Sequence, residues 1–212
     1  MDRNIDAKLI SFYRAPISNC KPEREMSLRE IHDFIKNGRS GIVIKLRGIK
    51  DEKEARSYKA SKFDHCTFSG IFTHRKEDGL VQHSGLLCLD FDHLDDVESV
   101  FQKLISDPRC PTALLFRSPS GDGLKWVVPI DVDQMSHEDW FYALSSYVHD
   151  TYGLEADNHC KDVCRACFLP RDVNVYMDED VLSKPLFVPD SVLSDPEPVR
   201  ETATGDDSFE VV

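Results

Sequence analysis

The sequence has no apolar run approaching the length of a bilayer span, no internal repeat, and no coiled-coil or low-complexity tract. A helical membrane protein, a solenoid and a fibrous rod are therefore not expected. Positive charge is also short: 26 Lys and Arg stand against 38 Asp and Glu in 212 residues, a formal net charge of -12. That balance rules out a polycationic nucleic-acid coat. Neither GxxxxGK[ST] nor a strand-linked GxGxxG occurs, so a P-loop nucleoside triphosphatase or a dinucleotide fold has no support. The seven cysteines are odd in number and scattered from Cys20 to Cys167, several inside apolar runs, which argues against a disulfide framework. The start, Met-Asp-Arg-Asn, has no apolar segment, so neither a secretory signal nor a membrane anchor is expected, and the cytoplasm is the expected compartment.

What is present is enough for one core, with 41% hydrophobic and 30% charged residues. Charge is uneven: residues 1–80 hold 17 bases and 12 acids (+5), leaving 9 bases and 26 acids (-17) for the remainder. Residues 1–26 read as a polar extension broken by Pro16 and Pro22, with order beginning after it. Ser27 and Glu30 form a capping-box pattern ahead of a short helix closed at Asn37-Gly38. Gly41 to Leu46 reads as a strand, and residues 51–63 as a charged helix with Lys53, Arg56, Lys59 and Lys62 at near-helical spacing. That stripe is either a solvated face or a surface for a phosphate backbone.

Strands are expected over Thr67–Phe72, Gly85–Phe91, Thr112–Phe116 and Leu124–Ile130. Helices are expected from Val97 to Asp107-Pro108 and after a Ser136 cap. The mixture indicates an α+β domain over 27–178, with a central mixed or antiparallel sheet flanked by helices. Residues 179–212, punctuated by Pro185, Pro189, Pro196 and Pro198, are expected to be an extended or disordered acidic tail.

Three segments carry chemical possibilities. In Leu86-Leu-Cys-Leu-Asp-Phe-Asp92, strand alternation sends Asp90 and Asp92 to one side, Leu89 and Phe91 to the other. Two carboxylates so close repel unless a cation lies between them, and Mg2+ or Mn2+ is the natural one; strand-end acids facing water are the plain alternative. In Arg117-Ser-Pro-Ser-Gly-Asp-Gly-Leu-Lys125, Ser118, Ser120, Gly121 and Gly123 could cradle phosphate beside Lys125, or form an ordinary glycine-rich turn. Cys160, Cys164 and Cys167 have Cx3CxxC spacing, which admits an iron-sulfur or, with His159, a zinc reading. On a helix they would share a face as small buried residues, leaving Asp157 as a further metal ligand and Arg165 as a phosphate clamp.

Taken together, the strand-borne DxD, the Ser/Gly loop ending in a base, and the Asp157-to-Arg165 segment resemble the catalytic domain of archaeo-eukaryotic-type primase-polymerases. More narrowly, the run from Phe63 to Tyr176, including Thr-Phe-Ser-Gly-Ile-Phe72 and Cys-Arg-Ala-Cys-Phe-Leu-Pro-Arg-Asp172, is similar to the amino-terminal domain of bacterial virulence-associated protein E-like proteins of mobile elements and phages. The resemblance implies divalent-metal-dependent nucleotidyl transfer, with Asp90, Asp92 and Asp157 as metal-binding acids. It implies the Ser118–Lys125 element and Arg165 on the nucleotide, with nucleoside triphosphates and single-stranded DNA as partners and a helicase-like module in cis or trans. Lys53, Arg56, Lys59 and Lys62 are candidates for template contact that the family does not supply. Lys125 stands where such primases usually have histidine; it can pair with phosphate but is not a neutral imidazole near pH 7. A catalytically inert single-stranded-DNA or partner-binding module with the same fold is therefore the alternative, and a metal-dependent nuclease a third reading.

Overall fold

The computed structural model describes residues 5–189. Their backbone forms an α+β fold in which every strand pairing is antiparallel. One sheet has the order β2 (Arg24–Ser27), β1 (Leu9–Tyr13), β3 (His65–Thr67), β9 (Cys167–Phe168). The other has the order β10 (Tyr176–Met177), β7 (Leu114–Arg117), β8 (Leu124–Pro129), β6 (Leu86–Phe91), and β4 (Gly70–Phe72) pairs with β5 (Leu80–His83) as a hairpin. The helices are α1 (Leu28–Asn37), α2 (Ser40–Gly48), α3 (Glu52–Lys62), α4 (Val97–Ile105) and α5 (His137–Tyr152).

Alternation along β6 builds the layers. Leu87, Leu89 and Phe91 join Trp126, Val128, Phe101, Trp140 and Leu144 in a core between the second sheet and α4 and α5. Leu86 and Val127 point the other way, into a core shared with Ile10, Phe12, Cys66 and Cys167 of the first sheet and Ile31 and Ile35 of α1. The second sheet is thus covered on both faces, which accounts for its nearly unbroken apolar strands.

The α1 cap is as expected: the Glu30 amide donates to Ser27 Oγ at 3.2 Å, and Glu30 Oε2 accepts the Ser27 amide at 2.7 Å. Asp51 and Ser136 cap α3 and α5 in the same manner. Gly153 closes α5 with φ +67.

Five expectations are corrected. The described part of the expected polar extension, residues 5–26, is not outside the domain: Ile10, Phe12 and Tyr13 of β1 are fully buried, and β1 is an inner strand of its sheet; residues 1–4 lie outside the described residues. Gly41–Leu46 is not a strand but most of α2; Val43 and Leu46, three apart, pack with Phe63, while Ile44 stays 70% exposed. One helical stripe against Phe63 overrides the β preference of the branched residues. Thr67–Phe72 breaks into β3 and β4 because the chain turns at Phe68-Ser69; β4 then starts at Gly70, where φ is +155 and a Cβ would lie 2.0 Å from the Gln82 carbonyl oxygen. The Cys160–Cys167 segment is a short 3-10 turn and a loop leading into β9, so its cysteines share no helix face. Finally, residues 179–189 are not a free tail: Val181 and Phe187 are buried, Phe187 against Tyr147 with ring centroids 4.8 Å apart. The rest of that expected tail, 190–212, lies outside the described residues.

Candidate functional site

The register of β6 on β8 sets Asp90 directly opposite Lys125. Asp90 shares the parity of Leu86, and Lys125 that of Val127, so both point into the space between the two sheets. They are only 8% and 9% exposed, and Lys125 Nζ forms an ion pair with Asp90 Oδ2. The second Asp90 oxygen, Oδ1, is buried with no hydrogen-bond partner. Burial pushes the Lys125 ammonium below its ordinary value, against the opposing pull of Cys167, Cys88 and Cys160 around it.

Asp90 and Lys125 form part of the wall of a cavity of about 300 Å3 at the edge of the intersheet space. Asp92, just beyond the end of β6, is exposed and lines the same cavity, as do Asp162, Lys59, Arg75 and Arg165. Four cations therefore face three carboxylates. A smaller, partly open pocket of about 30 Å3, room for one water, shares Asp90 and Lys125 with this cavity and is bordered by Cys88, Cys160, Cys167 and His137. The neighbouring Cys88 thiol, with the charges of Lys125 and Arg165, holds the Cys167 thiol below its ordinary value despite burial.

The Ser118–Gly123 loop does not line the cavity. Its serines and backbone bond within the loop: the Gly121 amide donates to Ser118 Oγ at 3.3 Å, the two serine hydroxyls lie 3.0 Å apart, and the Ser118 amide donates to the Gly123 carbonyl, while Asp122 Oδ1 is buried without a partner. From α2, Arg47 Nε donates to the Pro119 carbonyl at 3.2 Å. The loop instead braces the end of β6. A Cβ on Gly123 would fall 2.3 Å from the Phe91 carbonyl oxygen, the Leu94 amide donates to the Asp122 carbonyl, and His93 pairs with the Asp122 carboxylate at 2.9 Å. Those contacts hold His93 at φ 55, a left-handed conformation uncommon outside glycine, and so set the turn that presents Asp92.

Asp157 reaches the same strand end through its backbone, its amide donating to the Asp90 carbonyl at 2.9 Å. Its carboxylate is committed elsewhere: Oδ1 accepts from the His159 amide and lies 2.7 Å from that ring, and Oδ2 accepts from Arg165 at 2.7 Å. Burial alone would raise this carboxyl, but the His159 bonds and the Arg165 charge outweigh it and hold it below its usual range. The structure thus brings Asp90, Asp92, Lys125, Arg165 and Lys59 to one cavity and leaves the Asp157 carboxylate beside it as the resting partner of Arg165.

Of the α3 stripe, Lys59 alone turns to the cavity; Lys53, Arg56 and Lys62 face solvent, Arg56 beside Glu52 at 3.4 Å. Four lining residues carry no role in the sequence reading: Ile17 and Arg75, in segments with no motif; Phe168, among quoted residues yet given no role; and Asp162. Arg75 is anchored by its Nη2 on the Ile17 carbonyl at 2.8 Å and by its amide on the Cys20 carbonyl at 2.7 Å, while its Nε is buried without a partner.

The donor set fits a divalent cation in part. The unpartnered Asp90 oxygen and Asp92 on the same wall are hard oxygen ligands suited to Mg2+ or Mn2+. Asp157 does not complete a triad, and among the described residues no group of three or more His, Cys, Asp or Glu side chains is arranged to hold a metal ion. The zinc and iron-sulfur readings of Cys160, Cys164 and Cys167 accordingly find no metal-ligating arrangement among these residues.

Among the described residues no helix is long and apolar enough to cross a membrane. The family model described as BT4734-like, N-terminal domain, matches residues 58–177, which is 120 of the 212 residues. Neither a curated protein nor a solved structure matches the chain significantly.

Proposed function

The chain belongs to the BT4734-like N-terminal domain family, and from that premise and the cavity's geometry we propose a primase-polymerase-like site for the divalent-cation complex of a nucleoside triphosphate. The observation that carries this reading is the buried Asp90–Lys125 pair, with one Asp90 oxygen unpartnered, on the wall of a cavity ringed by Lys59, Arg75 and Arg165. A buried carboxylate oxygen without a donor is costly unless a cation takes it up, and a triphosphate arrives with one. Asp90 and Asp92 take the Mg2+ or Mn2+ that accompanies the substrate. Lys125, Lys59 and Arg75 neutralise phosphate oxygens, and Arg165 leaves Asp157 to join them. The resemblance to the virulence-associated protein E-like domains supports nucleotidyl transfer as the reaction, in mobile-element or phage replication beside a helicase-like module. Under this reading the cytoplasm is the site of action.

A second reading is a catalytically inert module that binds single-stranded DNA. It is favoured by the engagement of Asp157 with Arg165 and His159, and by the exposed bases of α3. Calorimetric titration of a deoxyribonucleoside triphosphate with Mn2+ separates the two, comparing the native chain with Asp90→Asn plus Asp92→Asn. Binding that needs Mn2+ and drops at least about 100-fold in the double variant supports the triphosphate site, given that charged hydrogen bonds contribute about 1.5–3 kcal/mol each. No binding to the folded native chain sinks it, and retained binding of single-stranded DNA then favours the inert module.

A further inference from the structure

The cavity is chemically two-sided. Asp90, Asp92 and Lys125 form one wall, whereas Phe168, Ile17 and Ala166 give the cavity an apolar part that phosphate groups would leave uncovered. Among the described residues lining it, Phe168 is the aromatic one. Its ring is held by neighbours: it meets Phe63 edge-on at 6.5 Å and 76°, and His65, its cross-strand partner, at 6.2 Å and 67°. Lys59 Nζ lies 5.7 Å from the ring centroid, which puts a cation beside the π-surface. Ile17 is fixed between elements, its amide donating to the Ala60 carbonyl at 2.8 Å and its carbonyl accepting from Arg75. Arg75 therefore positions an apolar residue and still presents a buried, unpartnered Nε donor. A volume of about 300 Å3 sits at the lower end of small-molecule sites and suits one nucleotide.

Resting on the triphosphate reading above, we propose that Phe168 is the surface on which the nucleotide's base lies, so that this cavity selects nucleoside triphosphates over bare polyphosphate. Every nucleobase has a π-face, so an aromatic platform tolerates any of the four bases while rejecting a ligand that has none. The phosphates extend from the ring toward Lys125 and Asp90, and Lys59 stands between the two parts.

The test is calorimetry on the full chain with Mn2+ and two ligands, dATP and inorganic tripolyphosphate. Base stacking on an aromatic ring corresponds to a factor of about 5 to 150 in affinity, and the native chain is expected to prefer dATP within that range. Phe168→Ala is expected to remove the preference by weakening dATP alone, and Phe168→Tyr to retain it. Because Phe168 packs on Phe63, thermal melts accompany each variant, and Phe168→Leu, which keeps apolar volume but has no ring, replaces the alanine variant if that one unfolds. Equal affinity of the native chain for both ligands overturns the inference, as does an alanine or leucine variant that weakens both ligands alike. Failure of both ligands to bind the folded native chain overturns the triphosphate reading itself and this inference with it.

Discussion

Asp90 and Asp172 are buried to nearly the same degree, 8% and 7% exposed, yet their surroundings could hardly differ more. Asp172 accepts the Arg117 amide at 2.8 Å and the Asn174 amide at 3.0 Å, with the Arg117 guanidinium at 3.5 Å from both oxygens. Its own amide donates to the Ile35 carbonyl, which ties α1 to the second sheet. Asp64 is likewise buried and served, by the Ala15 amide at 2.9 Å and by Arg14 and Arg39. Asp90 has one ammonium and one empty oxygen. A buried acid with all its donors is a structural fastener, whereas one left short of them keeps capacity for a ligand at a cost to the fold.

The contrast can be broken first at Asp172. Asp172→Ala leaves two amides and a guanidinium without their acceptor, and chemical denaturation should record a loss of about 3 kcal/mol or more. Nucleotide binding by the folded fraction should be unchanged. His65 sharpens the comparison from another side, because its two ring nitrogens are also buried without partners but can be neutral. Burial, aided by the Arg75 charge, pushes the imidazole down to about 4 from an ordinary value of 6.5. Between those values the unfolded chain binds the extra proton, so stability rises with pH: the contribution is complete above pH 6.5 and is lost as pH falls toward 4. The His65 part amounts to about 3 kcal/mol, at about 1.36 kcal/mol per pH unit. His83, also lowered to about 4 by burial beside His137, acts in the same direction. Melts of His65→Phe at pH 7 and pH 4.5 should differ less than those of the native chain.

Smaller effects are expected at the cavity itself. Replacing both members of the pair, Asp90→Leu with Lys125→Met, should leave stability unchanged or raise it by about 1–2 kcal/mol while abolishing Mn2+-dependent nucleotide binding. A comparable loss to that at Asp172 would mean the pair is a fastener after all. Least of all, Lys53→Glu with Lys62→Glu should change stability by under about 0.5 kcal/mol and leave nucleotide binding intact. If α3 contacts a template, single-stranded DNA affinity and its salt dependence should both fall.

How much of this was legible beforehand follows from the range of the interactions. The α1 and α5 caps and the β6 strand were readable because each is written within a few consecutive residues. Asp90, Asp92, Lys125 and Arg165 could be named from motifs, and the cavity does gather them. The Ser118–Gly123 loop was equally visible, but its hydroxyls and amides turn inward, which composition does not reveal. Residues 41–46 were misread since their β-branched run has high strand preference, and only the distant Phe63 makes a helical stripe the better packing. Arg75 and Phe168 had no signal as lining residues, because their roles depend on β3 pairing with β9 and on a loop near Ile17.

By itself the sequence determined where the side-chain-capped helices α1 and α5 begin, which strand positions are apolar and which carry charge, since capping and alternation act over a few residues and a fixed geometric period. Only the tertiary structure decided which of the buried acids would be satisfied. Hydrogen bonds and ion pairs act over a few ångströms, and the donors that serve Asp64 and Asp172, like the one that half-serves Asp90, come from segments up to tens of residues away. Sheet register and the packing of one sheet on another set those meetings, and the open oxygen at Asp90 is their result.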